Sequence, residues 1–375
     1  MMNTPFGKLI EKKSFGKFFL IFTMISLFYG AFANSRAAGC LWDSSLLSGL
    51  IGFLYVIMGF LSLMQMNIMK RWKNRRFESI MGFSTCFFIY DFLIVFVWKI
   101  YACFLPFSET AEAAGVFCCD LLAALTVALG YLHARNIKRT SYSIQLGSKE
   151  SPCRIVLLSD IHLGAFVGPK HVRRIADEVN KLDADLIVIC GDLIDVNNHI
   201  LADDDALEQI SREFQRMRAK EGVFAVLGNH DPKAENETFR QFLRASNIRL
   251  LHNEIIQLSQ INLIGRTNAA NNYRSPMTSF SGRTDPSKPI VVLDHDPAGI
   301  AEAVSFGADL VLCGHTHKGQ FFPVTYFTKL ANGKHSFYGH ERFGKTHAFI
   351  SSGAVFFQLP VRIGTDSEVV DIGIS

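Results

Sequence analysis

Residues 154–164 read RIVLLSDIHLG. A short apolar run stops at Ser159, and Asp160 and His162 follow with one residue between them. A run of this length, bounded by polar residues, fits a buried strand. The pattern recurs in ADLIVICGD (184–192), VFAVLGNHD (223–231), IVVLDHDP (290–297) and ADLVLCGHTH (308–317). Each apolar run ends on a polar cluster. Between the runs lie stretches with helical spacing: GPKHVRRIADEVNKL (168–182) with Pro169 near its start, DDDALEQISREFQRMRAK (203–220) with its acidic residues at the N-terminal end, ETFRQFLRAS (237–246) and AGIAEAVSFG (298–307). Residues 321–375 read mainly as strands and loops. Strand–helix alternation predicts a layered α/β fold.

In open α/β sheets the ligand crevice lies beyond the carboxyl ends of the strands. Five strand ends are therefore expected to converge, carrying Asp160, His162, Asp192, Asn229, His230, His295, His315 and His317. Imidazole, carboxylate and amide oxygen together suit divalent ions such as Zn, Mn or Fe. Seven of these residues, all but His230, exceed what one tetrahedral ion needs. A bridging carboxylate would hold two ions about 3.5–4 Å apart, the arrangement used in phosphoryl hydrolysis. His230, with Asp231 beside it to orient it, is placed to donate a proton to a leaving group. Singly, each cluster has an ordinary reading as a turn, a cap or a structural histidine. Five of them, each at a strand end, point to one site. There is no Gly-x-Gly-x-x-Gly turn and no P-loop, which removes the main support for a nucleotide cofactor or an NTPase.

The first part of the chain differs. Residues 1–145 hold 14 Lys/Arg and 7 Asp/Glu, while 146–375 hold 24 and 27. The excess of base fits membrane topology better than a nucleic-acid surface, and no nucleic-acid partner is expected. Four apolar segments, 18–33, 46–69, 80–98 and 113–134, approach the length of a transmembrane helix. Ala31-Phe32-Ala33 also resembles a signal-peptidase site, so a cleaved signal over residues 1–33 stays an alternative. Basic residues flank the first segment's start, the second's end (Lys70–Arg76) and the fourth's end. The positive-inside rule places the rest of the chain on the cytoplasmic face of the inner membrane. Asp91 and Asp120 fall within the third and fourth segments and are expected to face the bundle interior, protonated or hydrogen-bonded across helices. The eight cysteines form no disulfide framework. The expected organisation is a membrane region over 1–139, a linker over 140–151 and a soluble domain over 152–375.

SDIHLG (159–164), GDLID (191–195), GNHD (228–231), LDHDP (293–297) and GHTH (314–317) resemble, in order, the motif series of calcineurin-like metallophosphoesterases. GQFFP (319–323), the GR at 265–266, SSG (351–353) and RIGTDSE (362–368) resemble its bacterial YkuE-like branch. That branch includes a UDP-2,3-diacylglucosamine pyrophosphatase of lipid A synthesis. The resemblance implies a four-layer α/β/β/α sandwich and two divalent ions, with Mn, Fe, Zn and Mg all open. It implies that Asp160, His162 and His317 bind one ion and Asn229, His295 and His315 the other. Asp192 then bridges both, and His230 is the catalytic imidazole. Three departures bear on specificity: Lys318 after GHTH, GRTNAANN (265–272) and AVFFQLP (354–360). Lys318, Arg266, Arg274 and Arg362 are candidates to meet substrate phosphates. The expected substrate is a phosphodiester or pyrophosphate, with a membrane lipid as the attractive case. A soluble nucleotide phosphodiesterase is the alternative, and a non-catalytic membrane sensor or scaffold a further one.

Overall fold

A computed structural model describes residues 12–67, 75–146, 152–195, 199–268 and 274–375. The chain divides into two compact units. The first is residues 1–132 with 359–361, and the second is 133–358 with 362–375.

Among the described residues the first unit contains four helices: α1 (Lys12–Trp42), α2 (Ser45–Asn67), α3 (Arg75–Ala102) and α4 (Glu109–Ala134). They cover the first, third and fourth predicted segments and the second as far as Asn67, its residues 68 and 69 lying outside the described set. Helices α1, α3 and α4 run past their segments, α1 most of all, because its polar tail Asn34–Gly39 continues the helix without a Pro. Among the described residues two stretches are long and apolar enough to cross a membrane, Arg76–Ala102 and Glu109–Ala134, and the apolar stretch Ser45–Leu61 is shorter. Of the basic run Lys70–Arg76, only Arg75 and Arg76 fall within the described residues.

The second unit is built on two six-stranded sheets. In the first, β1 (Ile137–Ile144) edges the sheet and pairs in parallel with β12 (Ser367–Ile374). Next come β2 (Cys153–Leu158), β3 (Leu186–Cys190), β4 (Val223–Val226) and β5 (Ile248–Leu250), parallel to one another, with β12 antiparallel to β2. The second sheet runs β10 (Gly339–Phe343), β11 (Thr346–Ile350), β9 (Leu310–Cys313), β8 (Ile290–Leu293), β7 (Asn262–Gly265) and β6 (Glu254–Gln257).

Period-two strands present opposite faces, and three apolar layers follow. Ile155, Leu157, Val188 and Phe224 of the first sheet meet Leu263, Val291, Leu310 and Phe349 of the second. On the first sheet's outer face, Val156, Ile187 and Ile189 pack on helices α5 (Pro169–Val179), α6 (Asp204–Phe214) and α7 (Glu237–Ala245). On the second sheet's outer face, Ile264, Val292 and Val311 pack on Ile300 and Ala303 of α8 (Ile300–Phe306). The order is helix, sheet, sheet, helix. Caps fix the helix starts: the Asp203 carboxylate accepts from Ala206 N and the Asn236 side chain from Phe239 N.

Two sequence expectations need correction. The segment expected as a linker, 140–151, contributes most of β1 as far as Ile144, and residues 147–151 lie outside the described set. The last 55 residues are not only strands and loops, for α9 (Val324–Asn332) interrupts them.

Candidate metal centre

Each predicted ligand follows a strand, and the chain turns sharply where the strand stops. Asp160, His162, Asp192, His315 and His317 all have positive φ, between 50° and 76°. L-residues adopt that backbone rarely, and it clusters at functional sites. It is held by backbone bonds between adjacent strand ends: Asp160 N donates to Gly191 O at 3.0 Å and His162 N to Asp192 O at 3.0 Å. Two glycines allow the close approach. A Cβ on Gly228 would lie 2.1 Å from Asp192 Oδ1, and one on Gly314 2.4 Å from Asp160 Oδ2.

Two donor groups result, Asp160 with His162 and His317, and Asp192 with His295 and His315. In the first, the Nε2 atoms of His162 and His317 are 3.1 Å apart, and His317 Nε2 lies 3.3 Å from Asp160 Oδ1. In the second, His295 Nε2 lies 3.2 Å from each of Asp192 Oδ2, His315 Nδ1 and Asn229 Oδ1. Asp192 Oδ2 also lies 3.8 Å from His162 Nε2, so it faces both groups. Cys190 O accepts from His295 Nδ1 at 2.7 Å, which turns Nε2 inward toward the other donors. Ligands about 2.0–2.1 Å from a divalent ion sit roughly 3–3.4 Å from each other, so these spacings and this donor set fit metal binding.

The electrostatics divide the donors. Burial pushes the His162 imidazole down to about 3. Burial, with His162 and Arg362 nearby, holds His317 well below the usual range. Both are therefore neutral donors at neutral pH. Burial opposes charge on Asp192, but His295, His162 and His230 outweigh it and hold its carboxyl well below the usual range. Burial also opposes charge on His295, but the carboxylates of Asp192 and Asp160 raise its imidazole to about 10, so in the metal-free chain it carries a proton that a bound ion would have to displace.

Asp231 serves the backbone: its carboxylate accepts from Gly228 N at 2.8 Å and from Ile194 N at 2.9 Å. It thereby fixes the loop that carries Asn229 and His230. Asp192 Oδ1 accepts from His230 N at 2.8 Å, tying the same loop to the Asp192 carboxylate.

The four basic candidates all have partners within the chain. Arg362 is buried and donates to the carbonyls of His317 at 2.9 Å, Ser352 and Val355. It is a brace behind the site. Arg266 is buried too and meets Asp294 at 3.2 Å and Glu302 at 2.6 Å. Arg274 pairs with the same Asp294. Lys318 lays its ammonium 4.1 Å over the Tyr338 ring. All four are engaged within the chain. Residues 269–272 of the GRTNAANN run lie outside the described residues.

One neighbour of the site was not anticipated. The Phe357 ring packs on three histidines, 4.7 Å from His230 at 28°, 4.7 Å from His162 and 5.7 Å from His317. Its only signal in sequence is an aromatic within AVFFQLP, where the family pattern breaks.

A model of the calcineurin-like phosphoesterase family matches residues 153–319. A metallophosphoesterase of Helicobacter pylori strain J99 is 32% identical over 232 residues, 60% of each chain, so the match spans about 60% of that relative's length. A Danio rerio transmembrane protein with metallophosphoesterase domain is 30% identical over 333 residues, 78% of this chain and 73% of that one. The Bacillus subtilis metallophosphoesterase YkuE is 25% identical over 279 residues, 68% of this chain and 93% of that one. The chain belongs to the calcineurin-like metallophosphoesterase family.

Proposed function

We propose that this protein is a membrane-anchored, two-metal phosphoesterase that hydrolyses a phosphodiester or pyrophosphate bond. The observation that carries the reading is Asp192. Its Oδ2 lies 3.2 Å from His295 Nε2 and 3.8 Å from His162 Nε2, between two donor groups. Asp160, His162 and His317 would hold one divalent ion, and Asn229, His295 and His315 the other. Two bound ions supply Lewis-acid polarisation of the phosphoryl oxygens and lower the pKa of an attacking water. The chain's own residues do the rest. Neutral His162 and His317 and ionised Asp192 offer lone pairs without first losing a proton. His230, on the loop fixed by Asp231, hands a proton to the leaving oxygen. Phe357 walls off one side of the imidazoles and shields them from water.

The anchoring part rests on the helices Arg76–Ala102 and Glu109–Ala134. The Danio rerio relative supports it, because 78% is more of this chain than residues 133–375 make up, so the match reaches into the helices. We place all four helices in the inner membrane and the phosphoesterase unit on the cytoplasmic side, from the basic flanks of the helices. Only two residues separate Ala134 from Ile137, a short tether. A tethered site favours a lipid-linked phosphate or pyrophosphate, with UDP-diacylglucosamine the first to test, in keeping with the YkuE-like motifs. A soluble nucleotide diester is the second reading, favoured by partly exposed Phe357 as a surface for a flat base.

The test is incubation of manganese-loaded protein with UDP-diacylglucosamine and, separately, with cyclic and linear nucleotide diesters, followed by mass spectrometry. Release of UMP and lipid phosphate supports the lipid reading. Turnover of the nucleotide diesters alone replaces it with the second.

A further inference from the structure

The four helices of the first unit each contribute one polar side chain to a common point: Asn34 from α1, Tyr55 from α2, Asp91 from α3 and Asp120 from α4. Tyr55 Oη lies 3.2 Å from Asp91 Oδ2 and 3.5 Å from Asp120 Oδ1. Asn34 Nδ2 donates to Asp120 Oδ1 at 3.3 Å and to Gly30 O at 3.2 Å. Gly30 makes room, since a Cβ there would lie 3.0 Å from the Tyr55 ring and 3.1 Å from Asp91 Oδ2.

The hydrogen bonds do not balance. A phenol has one proton, so Tyr55 serves one carboxylate at a time. Both amide hydrogens of Asn34 are already committed. Asp91 is fully buried and Asn34 is 1% exposed, yet Asp91 Oδ1 and Asn34 Oδ1 have no donor. Among the described residues no Lys, Arg or His pairs with Asp91 or Asp120. The cluster thus holds an excess of oxygen lone pairs and two carboxyl groups, with nothing among the described residues to offset their charge. An uncompensated carboxylate in an apolar bundle is costly.

We propose that this cluster binds a hard monovalent cation of the sodium class. Carboxylate, amide and phenol oxygens from four helices form an all-oxygen donor set of the kind hard cations take. One cation and one proton shared between Asp91 and Asp120 neutralise the pair. Orphaned Asp91 Oδ1 and Asn34 Oδ1 become ligands. A divalent ion fits less well, since magnesium gives up its water reluctantly and calcium takes six to eight oxygens. Bound at the meeting point of four helices, the cation ties them together. The site is independent of the phosphoesterase reading.

The sequence supplies a reporter. All three tryptophans, Trp42, Trp72 and Trp98, precede residue 132, so tryptophan fluorescence follows this unit alone. The experiment is thermal unfolding of the full chain in lipid nanodiscs, in sodium chloride or in choline chloride at equal concentration. The expected result is a midpoint about 5 °C higher in sodium for the wild type, and a shift below about 1 °C in Asp91→Asn and in Asn34→Ala. Equilibrium binding of radioactive sodium to the wild type, saturating at one ion per chain, checks the site even if the variants do not fold. Equal midpoints in the two salts, or variants that keep the sodium shift, overturn the proposal. So does a midpoint that follows pH and ignores sodium, which assigns the cluster to protons, or a shift seen with calcium alone.

Discussion

The Phe357 ring stacks on the His230 imidazole at 4.7 Å and 28°. Such a pair is worth roughly 0.5–1.5 kcal/mol beyond its buried area. In the proposed mechanism His230 donates a proton, so its ring angle matters to turnover. Phe357→Ala is expected to lower kcat/KM for an aryl phosphodiester by up to about tenfold, the rate equivalent of that energy. Metal content should not change, and Phe357→Tyr should stay close to wild type. Parallel loss of metal in Phe357→Ala would make the ring a structural support instead.

Arg362 illustrates the opposite case. Its guanidinium serves three carbonyls from inside the core. Arg362→Lys presents fewer donors in the wrong geometry and leaves buried acceptors unpaired. A stability loss of about 3 kcal/mol is expected in urea unfolding. KM of the folded fraction should not move. A raised KM at unchanged stability would restore Arg362 as a substrate contact.

The metal-free protein should weaken in acid. His162 is pushed to about 3 in the folded chain from a usual 6.5, so the unfolded chain binds more protons between those values. Its contribution is therefore fully present above about 6.5 and is lost as pH falls toward about 3. Urea midpoints of chelator-treated protein at several pH values measure the slope. His162→Gln should flatten it, and an unchanged slope would remove His162 as its source.

Asp192 faces both donor groups, so on the two-metal proposal one substitution should disturb both ions. Metal analysis by inductively coupled plasma mass spectrometry is expected to find two ions per wild-type chain. Asp192→Asn should hold one or none, with weaker retention on dialysis. Two tightly held ions in Asp192→Asn would deny it the bridging role.

How far the sequence disclosed this site depends on the kind of contact. The convergence of the two donor groups was legible because each of their residues follows an apolar strand, and parallel strands deliver their ends to one edge. His315 and His317 need only the end of β9 to arrive together. Arg362 and Phe357 were not legible, because the 351–366 segment has no periodicity to reveal its path, and His162, which Phe357 meets, lies 195 residues away. Arg362 also misled for a chemical reason: a guanidinium that braces carbonyls and one that grips phosphate are the same group in a sequence. Strand β1 was hidden for another. IKRTSYSI sits at a sheet edge with one face exposed, so it carries too few apolar residues to mark a strand. Convergence of Asn34, Tyr55, Asp91 and Asp120 depends on how four helices pack, and only the two carboxylates stood out beforehand.

The central claim is that the paired donor groups perform phosphoester hydrolysis. The most direct measurement is manganese-dependent hydrolysis of an aryl phosphodiester by the purified full chain, beside Asp192→Ala and His317→Ala. The account expects turnover by the wild type and a loss on the order of a hundredfold or more in each variant, with folding retained. Wild type and variants equally inactive when loaded with manganese, or equally active, would contradict it.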